Sequence, residues 1–229
     1  MVRLTNKAHR RGKRAFTLVE LIVVLVILAV LASMLVPALT GYIKKAKREK
    51  YVENAHYALM AAQSVMTEIC ANPGAQDTTD SGKSSDKYNM NWRTGVNKHW
   101  GDRVLELMDC DRTNEPYIFV FGVGSDESTH LSDSDYYTVY YIAYVETPNS
   151  PAVFYVNGEW MYTYPRGDDN TYPITTGSEG IRNTIVANGA DIPLRFYIVS
   201  NRTGLSDTAF WRSSDRRSLE QHCAGNNGY

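Results

Sequence analysis

Hydrophobic and polar positions change pattern twice along the chain. Residues 16–39 read FTLVELIVVLVILAVLASMLVPAL, with Glu20 the one charge. Positions 21–32 are apolar without interruption, so the segment has no polar face at helical period and is not a surface helix of a globular protein. As a helix it covers roughly 36 Å, enough to cross a hydrocarbon core about 30 Å thick. Beyond it the pattern becomes amphipathic. Val52, Ala55, Leu59, Ala62, Met66 and Ile69 recur at three- and four-residue spacing, the stripe of a helix that docks on a core. Tyr51, Tyr57 and Ala58 widen that stripe, and His56 and Tyr57 read as core neighbours. Asn72-Pro73-Gly74 ends it. One helix is therefore predicted over 16–71, lipid- or helix-facing in its first half. Pro37 and Gly41 weaken its ladder and permit a bend.

The rest of the chain alternates with the period of strands. Residues 72–102 are polar and predict an exposed loop, with a short helix over 101–110. Strands are predicted over 117–123, 136–145, 152–156, 159–164, 194–200 and 208–212. Asn157-Gly158 between two β-prone runs predicts a two-residue type I′ hairpin. The fold class is α+β: a long N-terminal helix, transmembrane in its first half over 16–39, packed on a small antiparallel sheet within 72–229. The 16 tyrosines suit half-buried strand faces better than an aromatic ligand platform.

Composition alone describes an ordinary domain: 229 residues, 24 Lys+Arg against 25 Asp+Glu. It excludes a disordered polyelectrolyte, and three cysteines are too few for a disulfide scaffold. A mean hydropathy of -0.36 excludes a multi-span membrane protein. The charge is nevertheless sorted. Residues 1–15 carry Arg3, Lys7, Arg10, Arg11, Lys13 and Arg14 without an acid; 16–74 are close to neutral; 75–229 are acidic. That layout is an anchoring or targeting element ahead of an exported body. An acidic body also argues against nucleic-acid binding, which needs clustered bases.

A cleaved secretory signal, with Val36-Pro37-Ala38 as its small-residue site, and a plain single-span anchor are the simplest readings. Glu20 fits neither. A carboxylate within a span costs about 2.5–3.5 kcal/mol at the helix centre, less near its ends, and calls for a partner. Lys13-Arg14-Ala15-Phe16-Thr17-Leu18-Val19-Glu20 resembles the prepilin processing site of type IV pilins and type II secretion pseudopilins. A short basic leader, a small residue before Phe16, Glu20 as the fifth residue from Phe16, and Pro37 within the apolar helix coincide. The resemblance covers residues 10–50; beyond them the chain follows only the general pilin plan.

The resemblance implies a pilin-like fold and a defined processing route. A membrane prepilin peptidase cuts between Ala15 and Phe16 and methylates the new Phe16 amine. Ala15 stands where the family usually has Gly, and is small enough for a tight protease site. Residues 1–15 are then a leader. The helix holds the subunit in the bilayer, N-terminus inside and body outside, until it joins a helical filament at the cell surface or across the envelope. Glu20 faces the Phe16 amine of a neighbouring subunit, and Pro37 belongs to the assembly segment. The implied partners are identical or related pilin subunits, the prepilin peptidase, an assembly ATPase with its inner-membrane platform protein, and the lipid bilayer before assembly.

Other chemistry is sparse. HExxH, GxSxG, Walker and Rossmann motifs are absent from the sequence, so a non-enzymatic subunit is expected, without a cofactor. His56, His99, His130 and His222 lack metal-ligand spacing. Acid pairs at Asp109/Asp111, Asp126/Glu127, Asp133/Asp135 and Asp168/Asp169 read as solvated loops. Some pseudopilins bind calcium in an acidic loop, and Asp133-Ser134-Asp135 has the oxygen ligands for that ion. Arg166-Gly167-Asp168 and the sequon Asn201-Arg202-Thr203 are short matches that chance explains. Cys70, Cys110 and Cys223 allow three pairings. The resemblance favours Cys110–Cys223, a staple of the C-terminal tail found in many pilins, with Cys70 a buried free thiol at the helix end. The functional reading is a structural subunit of a type IV pilus-like filament. A pseudopilin of a secretion or competence apparatus is the alternative; a membrane-tethered binding or enzymatic domain is the third.

Overall fold

The computed structural model describes residues 16–72, 89–124, 134–162, 184–187 and 190–203. The chain divides into two compact units, Met1–Ala46 and Lys47–Tyr229. Helix α1 runs over Leu18–Ala71 and passes Pro37 and Gly41 without a break. It is the expected long helix, starting two residues later than its apolar pattern because residue 17 serves as its cap.

In the second unit α1 buries Ala55, Ala58, Ala61, Ala62, Val65, Met66 and Ile69. Four alanines in that stripe let bulky rings approach the helix backbone. Trp92, Phe119, Phe121, Tyr144 and Tyr197 occupy the same core. Val52 and Leu59 are half-buried, whereas His56 and Tyr57 face outward, Tyr57 being 57% exposed. The stripe is thus narrower than its apolar residues suggested: at 100° per residue, position 57 falls off the face that 58 and 62 define. Cys70 is exposed as well, not buried as expected.

Strand β1 (Asn89–Asn91) and helix α2 (Lys98–Leu107) follow. Next come β2 (Ile118–Gly124), a 3-10 turn at Asp135–Tyr137, and β3 (Val139–Val145). Then come β4 (Val153–Val156), β5 (Glu159–Met161), β6 (Thr184–Ala187) and β7 (Ala190–Asn201). The sheet order is β1-β7-β2-β3-β4-β5, with β6 paired to β7. The path β7-β2-β3-β4-β5 is antiparallel throughout, and with α1 it makes the α+β architecture expected. One pairing departs from an all-antiparallel sheet: β1 lies parallel to β7, Asn89 opposite Phe196 and Asn91 opposite Ile198. Its sequence, Asn-Met-Asn, is a single polar-apolar-polar alternation of three residues, too short to announce a strand.

The tyrosines of β3, Tyr140, Tyr141 and Tyr144, are more deeply placed than half-buried strand faces require. All seven residues of β2 and of β3 are buried, which happens when both faces of a sheet are covered. Phe119, Phe121, Ile142 and Tyr144 belong to the core under α1; Ile118, Val120, Tyr141 and Phe154 belong to a second core. The hairpin between β4 and β5 turns as predicted, with φ of 45° at Asn157 and 100° at Gly158. The strand expected over 208–212 lies outside the described residues.

Arg112 ties the loop after α2 to the sheet. Its guanidinium donates to the Trp92 and Val199 carbonyls, to Asp102 at 2.7 Å and to Glu115 at 2.8 Å. The Glu115 side chain is only 5% exposed, so the pair neutralises a carboxylate that burial would otherwise penalise. Gly101 makes that packing possible: a Cβ there would stand 2.1 Å from the Trp92 carbonyl oxygen and 2.8 Å from Arg112 Nη2.

Candidate functional site at the N-terminal segment

The segment that the sequence singled out begins with a helix cap. Thr17 precedes α1, and its Oγ1 accepts from the Glu20 backbone N–H at 3.3 Å. In return a Glu20 carboxylate oxygen accepts from the Thr17 N–H at 2.9 Å and from its hydroxyl at 2.8 Å. This is a capping box, Thr at the cap and Glu three residues on, which satisfies two N–H groups that a helix start leaves open. The negative charge also sits in the first turn, where the helix dipole favours it. Within one chain Glu20 therefore has a local partner.

Residues 21–32, directly after it, present only hydrocarbon. Phe16 and Leu18 are each 75% exposed, and every residue from 16 to 50 is exposed. Helix α1 is the one helix among the described residues long and apolar enough to cross a membrane. Its few hydroxyls are turned inward onto the backbone. Ser33 Oγ donates to the Val30 carbonyl at 2.7 Å, and Thr40 Oγ1 to the Val36 carbonyl at 2.6 Å. That hides polar groups a lipid or packed-helix setting would not hydrate. An apolar surface this long has no stable place in water and needs lipid or other helices around it.

Glu20 and Pro37 thus lie in one exposed helix, and Phe16 is exposed just ahead of its Thr17 cap; Ala15 lies outside the described residues. Of the disulfide that the resemblance favoured, Cys110 is a half-buried free thiol and Cys223 lies outside the described residues; Cys70 is a free thiol as well. Burial and then the carboxylates of Asp109, Asp111 and Glu146 push the Cys110 thiol above its ordinary pKa, so it is not an activated nucleophile. Asp135 accepts from the Tyr140 hydroxyl at 2.5 Å; its companion Asp133, the pairs Asp126/Glu127 and Asp168/Asp169, and Arg166-Gly167-Asp168 lie outside the described residues. Among the described residues no group of three or more His, Cys, Asp or Glu is gathered to hold a metal. The sequon asparagine, Asn201, is 1% exposed, so its amide nitrogen is not presented to solvent for glycan attachment; its Oδ1 accepts from the Thr203 N–H and hydroxyl.

Two features escaped the sequence reading. Thr17-x-x-Glu20 is a readable capping signature, obscured because Glu20 already had an explanation. A cavity of ≈ 200 Å³ beside the second half of α1, lined by Asn54, Tyr57, Met108, Cys110, Tyr144 and Glu146, draws on residues too scattered for a motif.

Residues 10–36 match the family described as the prokaryotic N-terminal methylation motif. No match was found among curated proteins or solved structures. The matched residues contain the leader end, Phe16, Thr17, Glu20 and the apolar helix start whose geometry is given above. The chain carries the N-terminal methylation motif that is the signature of type IV pilins and pseudopilins.

Proposed function

We propose that the chain is a structural subunit of a type IV pilus-like filament, cut between Ala15 and Phe16, methylated on the Phe16 amine and assembled through residues 16–39. One observation carries the reading: a single acid, Glu20, sits at the start of a fully exposed apolar helix directly after a basic leader. Processing leaves the Phe16 amine as a positive charge at that helix start. An amine of one subunit and the Glu20 carboxylate of the next then neutralise each other inside an apolar bundle, where either alone would be costly. The subunit waits in the bilayer, N-terminus inside, and leaves it when neighbouring helices replace lipid around the same surface. A pseudopilin of a secretion or competence apparatus shares this N-terminus; long surface filaments under electron microscopy favour the pilus. The role is structural rather than enzymatic.

Mass spectrometry of the mature protein is the deciding experiment. A chain that begins at methylated Phe16 supports the reading. A chain that begins at Leu39, after the signal-peptidase-like site, overturns it.

A further inference from the structure

We propose that the cavity beside Tyr57 and Met108 is a docking groove for a lysine or arginine side chain from the basic run 44–50 of a second copy of this chain. The inference rests on the filament reading above, which supplies the second copy.

The groove has the two halves such a side chain needs. Tyr57, Met108 and Pro116 provide an apolar wall, and Glu146 lies in the lining itself. Asp109 and Asp111 flank Cys110, another lining residue, and both are exposed. A long cationic side chain lays its methylenes on apolar surface and keeps its head among carboxylates. An aliphatic side chain would leave those carboxylates unused, and an acidic one would be repelled. The volume, ≈ 200 Å³, is of the order of one large side chain, well below the roughly 300–1,000 Å³ of drug-sized ligand pockets. The groove's chemistry is already exercised once within the chain: Glu146 holds Lys50 of its own helix at 3.6 Å and Asn54 at 2.9 Å.

The occupant follows from charge complementarity. Lys44, Lys45, Lys47, Arg48 and Lys50 fall within seven residues of a body that is otherwise acidic. A groove and a basic run at different places on the same chain form a heterologous contact. Such contacts do not pair off symmetrically and are the kind that extend into open helical filaments. Lys47 is the foremost candidate, since Lys50 is engaged by Glu146 and Arg48 stacks on Tyr162 at 5.5 Å within the chain.

The test uses the full chain in its assembled form. Zero-length carbodiimide coupling joins a lysine amine to a carboxylate it touches, with loss of water. Monomer and dimer bands are then separated and their peptides mapped. The expected result is a link from Lys44, Lys45 or Lys47 to Asp109, Asp111 or Glu146, present in the dimer band and missing from the monomer band. Lys47→Glu should lower its yield about tenfold while leaving membrane insertion and N-terminal processing unchanged. Dimers linked only through other residues overturn the groove contact and leave the filament reading standing. A chain that never forms linked dimers and stays dispersed in the membrane overturns both. If these carboxylates are shielded from coupling even in dispersed monomers, the groove is closed within the single chain, and the second-copy contact is again overturned.

Discussion

At the scale of single residues, Glu20 has two partners available to it, and they can be separated. The capping box needs a hydrogen-bond acceptor at residue 20, which Gln also provides. Pairing with a neighbour's amine needs the charge. Glu20→Gln should therefore keep the helix start and processing while filament yield falls at least tenfold, read from sheared surface fractions. Thr17→Val should do the reverse: it removes the cap, at about 0.5–2 kcal/mol of local helix stability, and keeps the charge. Equal assembly by wild type and Glu20→Gln would leave Glu20 as a cap alone. Arg112 makes a second residue-scale case. Arg112→Ala leaves the nearly buried Glu115 carboxylate only the longer 4.0 Å pair with Arg93, and since breaking a buried pair outright costs about 3–5 kcal/mol, the loss should approach that range, seen as a drop in Tm for the full chain in detergent. Its other acidic partner reports through pH. Burial raises the pKa of Asp102, but hydrogen bonds and charge from Lys98 and Arg112 outweigh it and hold the carboxyl below its ordinary 3.8. A lowered carboxyl pKa stabilises the fold above the unfolded value and loses that contribution as pH falls through the folded one. The melting temperature should thus carry an acid limb below about pH 4 that Asp102→Asn flattens.

At the scale of elements, what could be read from the chain depended on whether a signal is local. Helix α1 and the hairpin at Asn157-Gly158 were legible because period and turn chemistry are properties of neighbouring residues. Both turn residues take the positive φ that their types tolerate. The runs 118–124 and 139–145 announced strands, and their unbroken apolarity, IFVFGVG and VYYIAYV, was the available sign that both faces are buried. Strand β1 was not legible: Asn-Met-Asn is extended only because β7 offers it backbone partners. The same holds for the cavity, whose lining comes from α1, the loop after α2 and the end of β3. Helix α2 was placed three residues late because its anchor is long-range. Gly101 is held against Trp92, nine residues earlier, and Arg112, eleven residues later. That contact gives the element-scale prediction. Gly101→Ala improves intrinsic helix propensity by about 0.8–1.0 kcal/mol, yet its methyl has no room against a backbone carbonyl. Overpacking of this kind costs about 1–3 kcal/mol or more, so Gly101→Ala should melt below wild type. A Tm at or above wild type would mean α2 is free to shift.

At the scale of the whole molecule, the near-zero net charge conceals an asymmetry that sets orientation. Six bases precede the apolar segment and five, from Lys44 to Lys50, follow it closely. Orientation responds to Lys and Arg within about 15–20 residues of the span ends, while acids contribute little. On the proposed orientation the acidic body would therefore contribute little to its own placement outside, and the leader would decide it by a narrow margin of six bases to five. If the chain is processed after Ala15 as proposed, all six leader bases are lost and the mature side-chain charge becomes -7. On that proposal the leader would serve as an orientation device for the precursor. Its loss would leave the Phe16 amine as the one fixed cation ahead of the span. Replacing Arg10, Arg11, Lys13 and Arg14 by Gln leaves only Arg3 and Lys7 ahead of the span, so the five following bases should dominate. Most copies should then insert with the body inside, where protease added to intact cells cannot reach it. Neutralising Lys44, Lys45, Lys47 and Arg48 to Gln in the same chain leaves Arg3 and Lys7 ahead of the span against Lys50 behind it, the original excess of one base, and should restore the outside body, because only the difference between the two sides matters. A body that stays accessible in the first variant would show that the order of synthesis, not the charge balance, decides the topology.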